Sequence, residues 1–257
     1  MRIKIMKLYK QAANLIKSKS KIVAFTGAGI SVESGIPDFR SPGGLWEKYN
    51  PTEYAEYSAF LKWPEKFWTM HSELAELVSS AEPNPAHLAL ATLENLGKLK
   101  AVITQNIDFL HQRAGNSRVL ELHGTGETAS CLSCQKQFDR VMVEELLKKV
   151  QVPRCPDCEG LIKPNVVLFS EPLPANVFEE AKQALLESDL LIVIGTSLSV
   201  FPAAALPSLV SFNNTPVIII NEEPTSLDSS ASIVINGKSG EIFPQIIKAM
   251  NTDEETN

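Results

Sequence analysis

The segment Ile22-Val23-Ala24-Phe25-Thr26-Gly27-Ala28-Gly29 runs from an apolar stretch into a glycine-containing turn. This pattern predicts a buried strand that ends in a loop whose backbone N–H groups can approach a phosphate, because glycine carries no Cβ. The G-x-G-x-x-G fingerprint of dinucleotide-binding proteins is absent, since Val32 stands where that fingerprint requires glycine or alanine. The turn alone fits phosphate binding and a tight strand-to-helix connection equally well.

The same loop continues through Gly35-Ile36-Pro37 to the cluster Asp38-Phe39-Arg40. A carboxylate, an aromatic ring and a guanidinium thus follow a loop of the phosphate-binding type. This combination favours a nucleotide that takes part in chemistry, although an incidental arginine after a turn is the simpler alternative.

The rest of the chain alternates between strand-like and helix-like patterns. Apolar runs rich in β-branched residues predict further buried parallel strands at 101–104, 190–194, 217–220 and 233–235. Helical spacing of apolar residues predicts helices at 6–18, 86–96, 175–187, 203–213 and 240–250. The sequence therefore predicts an α/β fold with a Rossmann-like parallel sheet and helices on both faces.

Two regions do not fit this alternation and predict a smaller lobe. Residues 43–81 are rich in aromatic residues and look helical, and residues 125–162 contain every cysteine. We therefore assign 1–42, 82–124 and 163–250 to a discontinuous large domain, 43–81 and 125–162 to the small lobe, and 251–257 to a disordered tail.

Composition limits the class of protein. The chain has 257 residues, 44% of them hydrophobic, and a formal net charge of −6. A negative charge makes direct nucleic-acid binding unexpected. No apolar run reaches the roughly 20 residues of a membrane span, and lysines interrupt any signal-peptide core near the N-terminus. We expect a cytoplasmic protein with no membrane partner.

The four cysteines form two pairs, Cys131-Leu132-Ser133-Cys134 and Cys155-Pro156-Asp157-Cys158, with 20 residues between them. This spacing is typical of a zinc ribbon, in which each pair presents two thiolates to one ion. Four protein ligands leave no open coordination position, so we predict one structural zinc ion per chain. Two disulfides would not suit a cytoplasmic chain, and a redox dithiol would leave one pair unexplained.

Polar residues follow several of the predicted strands. Ligands of open α/β sheets bind at the carboxyl ends of strands, so these residues are candidates for a binding site. Each group alone also fits an ordinary turn or helix cap. The groups are Gln105, Asn106, Ile107 and Asp108 after the second strand, His123 after a further short strand, Gly195, Thr196 and Ser197, and Asn221.

His123 is the candidate general base among the four histidines. A histidine pKa near neutrality suits proton abstraction at working pH. His71 and His87 lie in helical patterns and are predicted to be structural. A single histidine at a strand end is more often structural than catalytic, so this interpretation depends on the neighbouring polar groups.

In this order, the segments resemble the sirtuin family of NAD-dependent protein deacylases over nearly the whole chain. The motifs that carry the resemblance are Gly27-Ala28-Gly29-Ile30-Ser31, Gly35 to Arg40, Thr104 to Asp108, His123-Gly124, the two cysteine pairs, Lys163-Pro164-Asn165-Val166-Val167-Leu168-Phe169-Ser170-Glu171, Gly195-Thr196-Ser197 and Asn221.

The resemblance implies that NAD is consumed as a co-substrate in the deacetylation of a lysine side chain. The acyl oxygen of the modified lysine would attack the anomeric carbon of the nicotinamide ribose, and nicotinamide would leave. His123 would then deprotonate a ribose hydroxyl that attacks the bound imidate. The products would be free lysine and O-acetyl-ADP-ribose.

The resemblance also implies roles for individual residues. Asn106 and Asp108 would lie at the nicotinamide carboxamide and, with His123, form the catalytic set. Val166, Val167 and Phe169 would bind the acetylated-lysine peptide. The cofactor-binding residues would be Gly27, Ala28, Gly29, Asp38, Phe39, Arg40, Gln105, Asn106, Ile107, Asp108, Gly195, Thr196, Ser197 and Asn221.

Two residues depart from the family pattern, in which glycine is usual at the positions of Ser170 and Phe109; these departures concern specificity more than activity. The desuccinylase-type branch carries a Tyr-x-x-Arg pair that residues 62–73 lack, which favours neutral acyl groups, acetyl first.

A mono-ADP-ribosyltransferase and a deacylase for longer neutral acyl groups are the alternatives. A non-catalytic NAD or ADP-ribose sensor is disfavoured, because a pure binder would not need His123, Asn106 and Asp108.

Overall fold

The computed structural model describes residues 2–39 and 41–251. The predicted cofactor contact Arg40 and residues 252–257 of the predicted tail lie outside the described residues. Nine strands are present in the described part: β1 (Ile22–Thr26), β2 (Leu99–Thr104), β3 (Val119–Glu121), β4 (Gly124–Cys131), β5 (Gln137–Asp139), β6 (Ile162–Val166), β7 (Leu190–Ile194), β8 (Val217–Asn221) and β9 (Ile233–Asn236).

The described residues also form ten α-helices and four 3₁₀ segments. The α-helices are α1 (Arg2–Lys17), α2 (Leu45–Lys48), α3 (Pro51–Tyr54), α4 (Tyr57–Lys62), α5 (Pro64–Ser80), α6 (Pro85–Asn95), α7 (Leu110–Ala114), α8 (Arg140–Leu147), α9 (Ala175–Leu186) and α10 (Ser239–Asn251). The 3₁₀ segments are Ala28–Ile30, Val32–Ser34, Ala203–Asn213 and Asp228–Ser230. The predicted helix at 203–213 is thus a 3₁₀ helix, with Pro207 inside it.

Six strands form a parallel sheet in the order β3-β2-β1-β7-β8-β9. Because side chains alternate along a strand, β1 contributes Ile22 and Ala24 to one core and Val23 and Phe25 to the other. Helices α1, α6 and α10 cover the first face, and α9 and the Ala203–Asn213 segment cover the second. The predicted α/β class with helices on both faces is confirmed.

A second sheet, in the order β5-β4-β6, is antiparallel and belongs to a smaller lobe. This lobe has its own core, in which Phe60 and Trp68 from the helical insertion pack with Phe138 and Ile162 from the cysteine-bearing region. The two sequence insertions therefore form one body, as the sequence predicts.

The predicted boundary at residue 163 falls inside β6. This strand pairs with β4 through Val166, so residues 162–166 lie in the small sheet. The predicted boundary between residues 124 and 125 likewise lies inside β4, whose Gly124 pairs with Val166. The division of the chain into two domains stays a prediction.

The loops that follow β1 and β7 lie in direct backbone contact. The N–H of Gly29 donates to the carbonyl oxygen of Gly195 at 2.8 Å. Gly195 has a φ of +62°, and a Cβ on it would lie 2.1 Å from the backbone nitrogen of Ile30. Between β1 and β7 the strand order reverses, and ligands of open α/β sheets bind at this point.

Within residues 2–39 and 41–251, no helix combines the length and the apolar character that a membrane span requires.

The contact at Gly195 predicts a specific sensitivity to substitution. We expect Gly195→Ala to lower the free energy of unfolding by more than about 3 kcal/mol, because the added methyl meets backbone that cannot move aside. Gly97→Ala is the matched control: Gly97 has a similar φ of +71° but no atom within 4 Å of an added Cβ. It should cost only about 1–2 kcal/mol of backbone strain. Urea unfolding of both variants measures the difference, and equal losses would contradict the packing argument.

Candidate active site

The carboxyl ends of β1, β2 and β7 bring the predicted polar residues to one edge of the large sheet. The side-chain Nε2 of Gln105 donates to Oγ1 of Thr196 at 2.9 Å, which ties the end of β2 to the end of β7. The backbone N–H of Gln105 donates to the carbonyl of Thr26 at the end of β1. Residues that are far apart in sequence thus form one constellation.

Asn106 and Asp108 are held in a buried hydrogen-bonded network. Nδ2 of Asn106 donates to the carbonyl of Gly27 at 3.2 Å and to Oγ of Ser31 at 3.1 Å. The hydroxyl of Ser31 donates in turn to Oδ2 of Asp108 at 2.7 Å, and Oδ1 of Asp108 accepts from the N–H of Leu110 at 2.9 Å. The network fixes both side chains and orients the Asn106 amide with its Nδ2 toward these two acceptors.

A second set of buried hydrogen bonds connects to this network through the backbone N–H of Asn106. Oγ1 of Thr26 contacts Oγ1 of Thr104 and Nε2 of His111, each at 2.9 Å, and Oγ1 of Thr104 accepts from the N–H of Asn106. The ring of His111 lies 4.9 Å from that of His87. Burial lowers the pKa of His87 to about 4 and lowers that of His111 well below its usual value. Both rings are neutral supports, which agrees with the structural role predicted for His87.

His123 lies just after β3 with a defined tautomer. Its Nδ1 lies 2.8 Å from the carbonyl oxygen of Gln105. Since a carbonyl only accepts, Nδ1 carries the proton and Nε2 keeps its lone pair. Burial lowers the pKa of His123, and the hydrogen bond to Gln105 opposes this only in part. The imidazole is therefore neutral at pH 7 and able to accept a proton at Nε2.

These side chains line a cleft of about 310 Å³ between the large sheet and the small lobe. Its wall includes the following predicted site residues: Ala28, Phe39, Gln105, Asn106, Ile107, Asp108, His123, Val166, Val167 and Phe169. The cleft thus joins the loop after β1, the end of β2, His123 and the segment after β6 in one cavity.

Other predicted residues lie near this edge of the sheet but not in the cleft wall. Gly27, Gly29, Gly195 and Thr196 lie in the loops at the ends of β1 and β7, which backbone hydrogen bonds and the contact with Gln105 hold together. Asp38 accepts hydrogen bonds from the N–H and hydroxyl of Ser41. Oγ of Ser197 contacts Oγ of Ser199, and Nδ2 of Asn221 donates to the carbonyl of Glu223. Cofactor binding by these residues stays a prediction.

The cleft also contains residues that the site prediction omitted. Ser31 connects Asn106 to Asp108, and its place two residues after Gly29 was a usable signal. Trp46 lies 5.1 Å from the ring of Phe39 and 6.0 Å from that of Phe169. Met70, Leu74 and Val78 of α5 form an apolar part of the cleft wall, and in the sequence they look like an ordinary core stripe at helical spacing.

The two departures from the family pattern share a backbone conformation. Phe109 has a φ of +62° and Ser170 a φ of +71°, both in the left-handed region that glycine tolerates best. This explains why glycine is usual at both positions. The hydroxyl of Ser170 donates to Oε1 of Glu56 at 3.2 Å, a contact that glycine cannot make.

The four cysteines converge on one point of the small lobe. Their Sγ atoms all lie within 4.8 Å of one another, with Cys131 to Cys158 at 3.4 Å and Cys134 to Cys155 at 3.6 Å. Zn–S bonds of about 2.3 Å in a tetrahedron separate sulfurs by about 3.8 Å, so the spacing fits zinc. The N–H groups of Ser133 and Cys134 point at Sγ of Cys131. The donor set fits the predicted structural zinc.

Comparison with known proteins identifies the class to which this fold and site belong. The model of the Sir2 family matches residues 27–202. A protein of Archaeoglobus fulgidus called NAD-dependent protein deacylase 2 is 47% identical over 240 residues, which cover 93% of this chain and 94% of the relative. The chain belongs to the Sir2, or sirtuin, family, and the resemblance found in the sequence is confirmed.

Solved structures agree with this membership. A structure described as the structural basis for the mechanism and regulation of Sir2 enzymes has a TM-score of 0.90 and 45% identity, covering 96% of this chain and 98% of that one. A Sir2 variant with a deacetylated p53 peptide and 3′-O-acetyl ADP-ribose has a TM-score of 0.89 and 39% identity, covering 93% and 97%.

The cysteine cluster predicts a metal dependence of structure. We expect about one zinc ion per chain. Removal by a chelator should lower the midpoint of thermal unfolding and reduce activity indirectly, because the zinc-bearing strands share a core with the helical insertion. Metal analysis and thermal scans with and without chelator test this. Metal-free protein that is fully folded and active would overturn the structural role.

Proposed function

We propose that this chain is an NAD-dependent protein-lysine deacylase whose first substrate is an acetylated lysine in a protein or peptide. NAD is cleaved at its nicotinamide ribose, and the products are free lysine, nicotinamide and O-acetyl-ADP-ribose. One observation carries the proposal: a neutral His123 with a free Nε2 shares a single cleft with the buried Asn106–Ser31–Asp108 network. A cytoplasmic location stays a prediction.

The deacylase name of the Archaeoglobus fulgidus relative supports the reaction class. The Sir2 structure that holds a deacetylated peptide together with 3′-O-acetyl ADP-ribose supports transfer of the acyl group to the sugar. A mono-ADP-ribosyltransferase would instead leave the acceptor protein modified. The products therefore separate the two reactions.

The histidine acts as the general base in this proposal. Nε2 of His123 takes the proton of a ribose hydroxyl, and Nδ1–H stays bonded to the carbonyl of Gln105, which holds the ring in place. The backbone carbonyl of His123 accepts from the N–H of Val167 at 2.8 Å. This bond couples the position of the base to the segment that meets the peptide.

The amide and carboxylate bind the nicotinamide end of NAD. Both donors of Asn106 are used inside the protein, so its Oδ1 is left as the acceptor of a side chain that lines the cleft. The amide protons of a nicotinamide carboxamide suit this oxygen and the Asp108 carboxylate. Phe39 lies in the wall of the same cleft and, by excluding water, favours acyl transfer over hydrolysis.

The substrate peptide binds along residues 166–170. The N–H and carbonyl of Phe169 are already paired with Ala55 and Tyr57, so that edge is closed to a peptide. In the described part of the chain, no hydrogen bond engages the carbonyl of Val167 or the backbone N–H and carbonyl of Ser170. These groups are available for main-chain pairing, which makes recognition tolerant of substrate sequence.

A specific observation also favours longer neutral acyl groups as a second substrate class. The cleft wall includes Met70, Leu74 and Val78 of α5, and none of these side chains carries a charge. Apolar wall of this kind stabilises an alkyl chain by about 0.8 kcal/mol for each buried methylene. A carboxylated acyl group would meet no basic partner among these three residues.

An acyl-peptide panel tests the function. Mass spectrometry should show NAD-dependent removal of acetyl and octanoyl groups, formation of O-acyl-ADP-ribose, and little removal of succinyl. His123→Ala is expected to lower turnover at least about 100-fold, the scale of a lost general base, while NAD binding is retained. A protein that becomes ADP-ribosylated while the acyl-lysine survives would refute the proposal.

The pH dependence tests the base. Because burial lowers the pKa of His123, the folded enzyme keeps this imidazole neutral below the usual histidine value of about 6.5. Activity should therefore be full at pH 7 and fall as the pH drops through the lowered pKa. A pH profile of kcat/KM between about pH 5 and pH 9 measures this limb, with circular dichroism at each pH as the control for folding. A limb centred above 6.5 would contradict the assignment.

A further inference from the structure

Lys163 is buried beneath the peptide-binding segment, with only 9% of its side chain exposed. Its ammonium donates to the carbonyls of Pro164 at 3.1 Å and Val166 at 2.7 Å. The third partner is Oε2 of Glu171 at 3.0 Å. An ammonium has three donors, so this set satisfies all of them.

Glu171 binds both Lys163 and the backbone of the same segment. Its Oε2 accepts from the N–H of Leu168 at 2.8 Å as well as from Lys163, and its own N–H donates to the carbonyl of Leu168 at 3.0 Å. Its side chain is 19% exposed, and it lies in the cleft wall. The ion pair thus joins the two ends of residues 163–171.

The pair acts on the path of this segment and adds little to the global fold. Every partner of the ammonium lies within residues 163–171, so the pair connects no distant elements. Buried ion pairs contribute little net stability compared with apolar residues of the same size, because desolvation offsets their attraction. What this pair does supply is a fixed direction for individual backbone groups.

The backbone groups that the ion pair holds lie next to backbone groups that have no hydrogen bond in the described part of the chain. Lys163 holds the carbonyl of Val166, and Glu171 holds the N–H of Leu168. In an extended segment consecutive carbonyls point in opposite directions, so holding that of Val166 fixes where the carbonyl of Val167 points. The open groups at Val167 and Ser170 are therefore presented to the peptide in one geometry.

From these contacts we propose that Lys163 and Glu171 are positioning residues for the acyl-peptide substrate. They pre-organise residues 166–170 for main-chain pairing, which reduces the ordering cost of peptide binding. Their contacts with the segment are to the backbone groups of Pro164, Val166 and Leu168. This inference rests on the proposed function for the identity of the peptide, but its test reads binding directly.

The double variant Lys163→Met/Glu171→Gln is the main test, because it removes both charges and leaves neither one buried without a partner. Binding of a fluorescein-labelled acetyl-lysine peptide is measured by anisotropy in the presence of ADP-ribose, and binding of ADP-ribose alone by calorimetry. We expect peptide affinity to weaken at least about tenfold, with ADP-ribose affinity changed less than about twofold. In turnover assays the KM for peptide should rise more than kcat falls.

Lys182→Met is the matched control, because Lys182 forms an exposed pair with Glu179 on α9. It should leave both affinities unchanged. Unaltered peptide binding in the folded double variant, or equal weakening of ADP-ribose binding, would overturn the positioning role. A wild-type chain that binds the peptide but does not deacylate it would contradict the proposed function alone.

Discussion

The backbone contact between the loops after β1 and β7 is the constraint on which the site depends. Gly29 and Gly195 meet without side chains between them, and their hydrogen bond fixes the distance between two strand ends. Thr196 follows Gly195 directly, and its Oγ1 accepts a hydrogen bond from Nε2 of Gln105. This bond fixes the end of β2 relative to the ends of β1 and β7. His123 is then held on the carbonyl of Gln105. A change at the glycines would reach the histidine through this series of short bonds.

The large sheet was predictable because its strands are buried on both faces. Runs such as 190–194 contain only β-branched and aliphatic residues, and the predicted bounds coincide with β7. The cysteine spacing was equally informative, since only convergence of both pairs explains it. Helices α2, α3 and α7 are too short to show a period of 3.6 residues, and they were not predicted as separate elements.

The site was predictable in its polar part and less so in its apolar part. Gln105, Asn106 and Asp108 stand out because polar residues directly after a buried strand require a reason. Met70, Leu74 and Val78 carry no such signal, since an apolar stripe on a helix looks the same whether it faces a core or a cavity. Similarly, nothing in the sequence marks Lys163 as buried, because its three acceptors are set by the path of the backbone and by Glu171.

The cleft wall has two separate origins, and this division has an evolutionary consequence. The polar groups proposed to meet the nucleotide stand at the strand ends of the large sheet, whereas Met70, Leu74 and Val78 stand on α5 of the small lobe, whose core is distinct. Substitutions in α5 can therefore change the apolar part of the cleft wall while the strand ends keep their geometry. The architecture permits descendants of one ancestral enzyme to diverge in the modification they erase while sharing an unchanged way of cleaving the nucleotide.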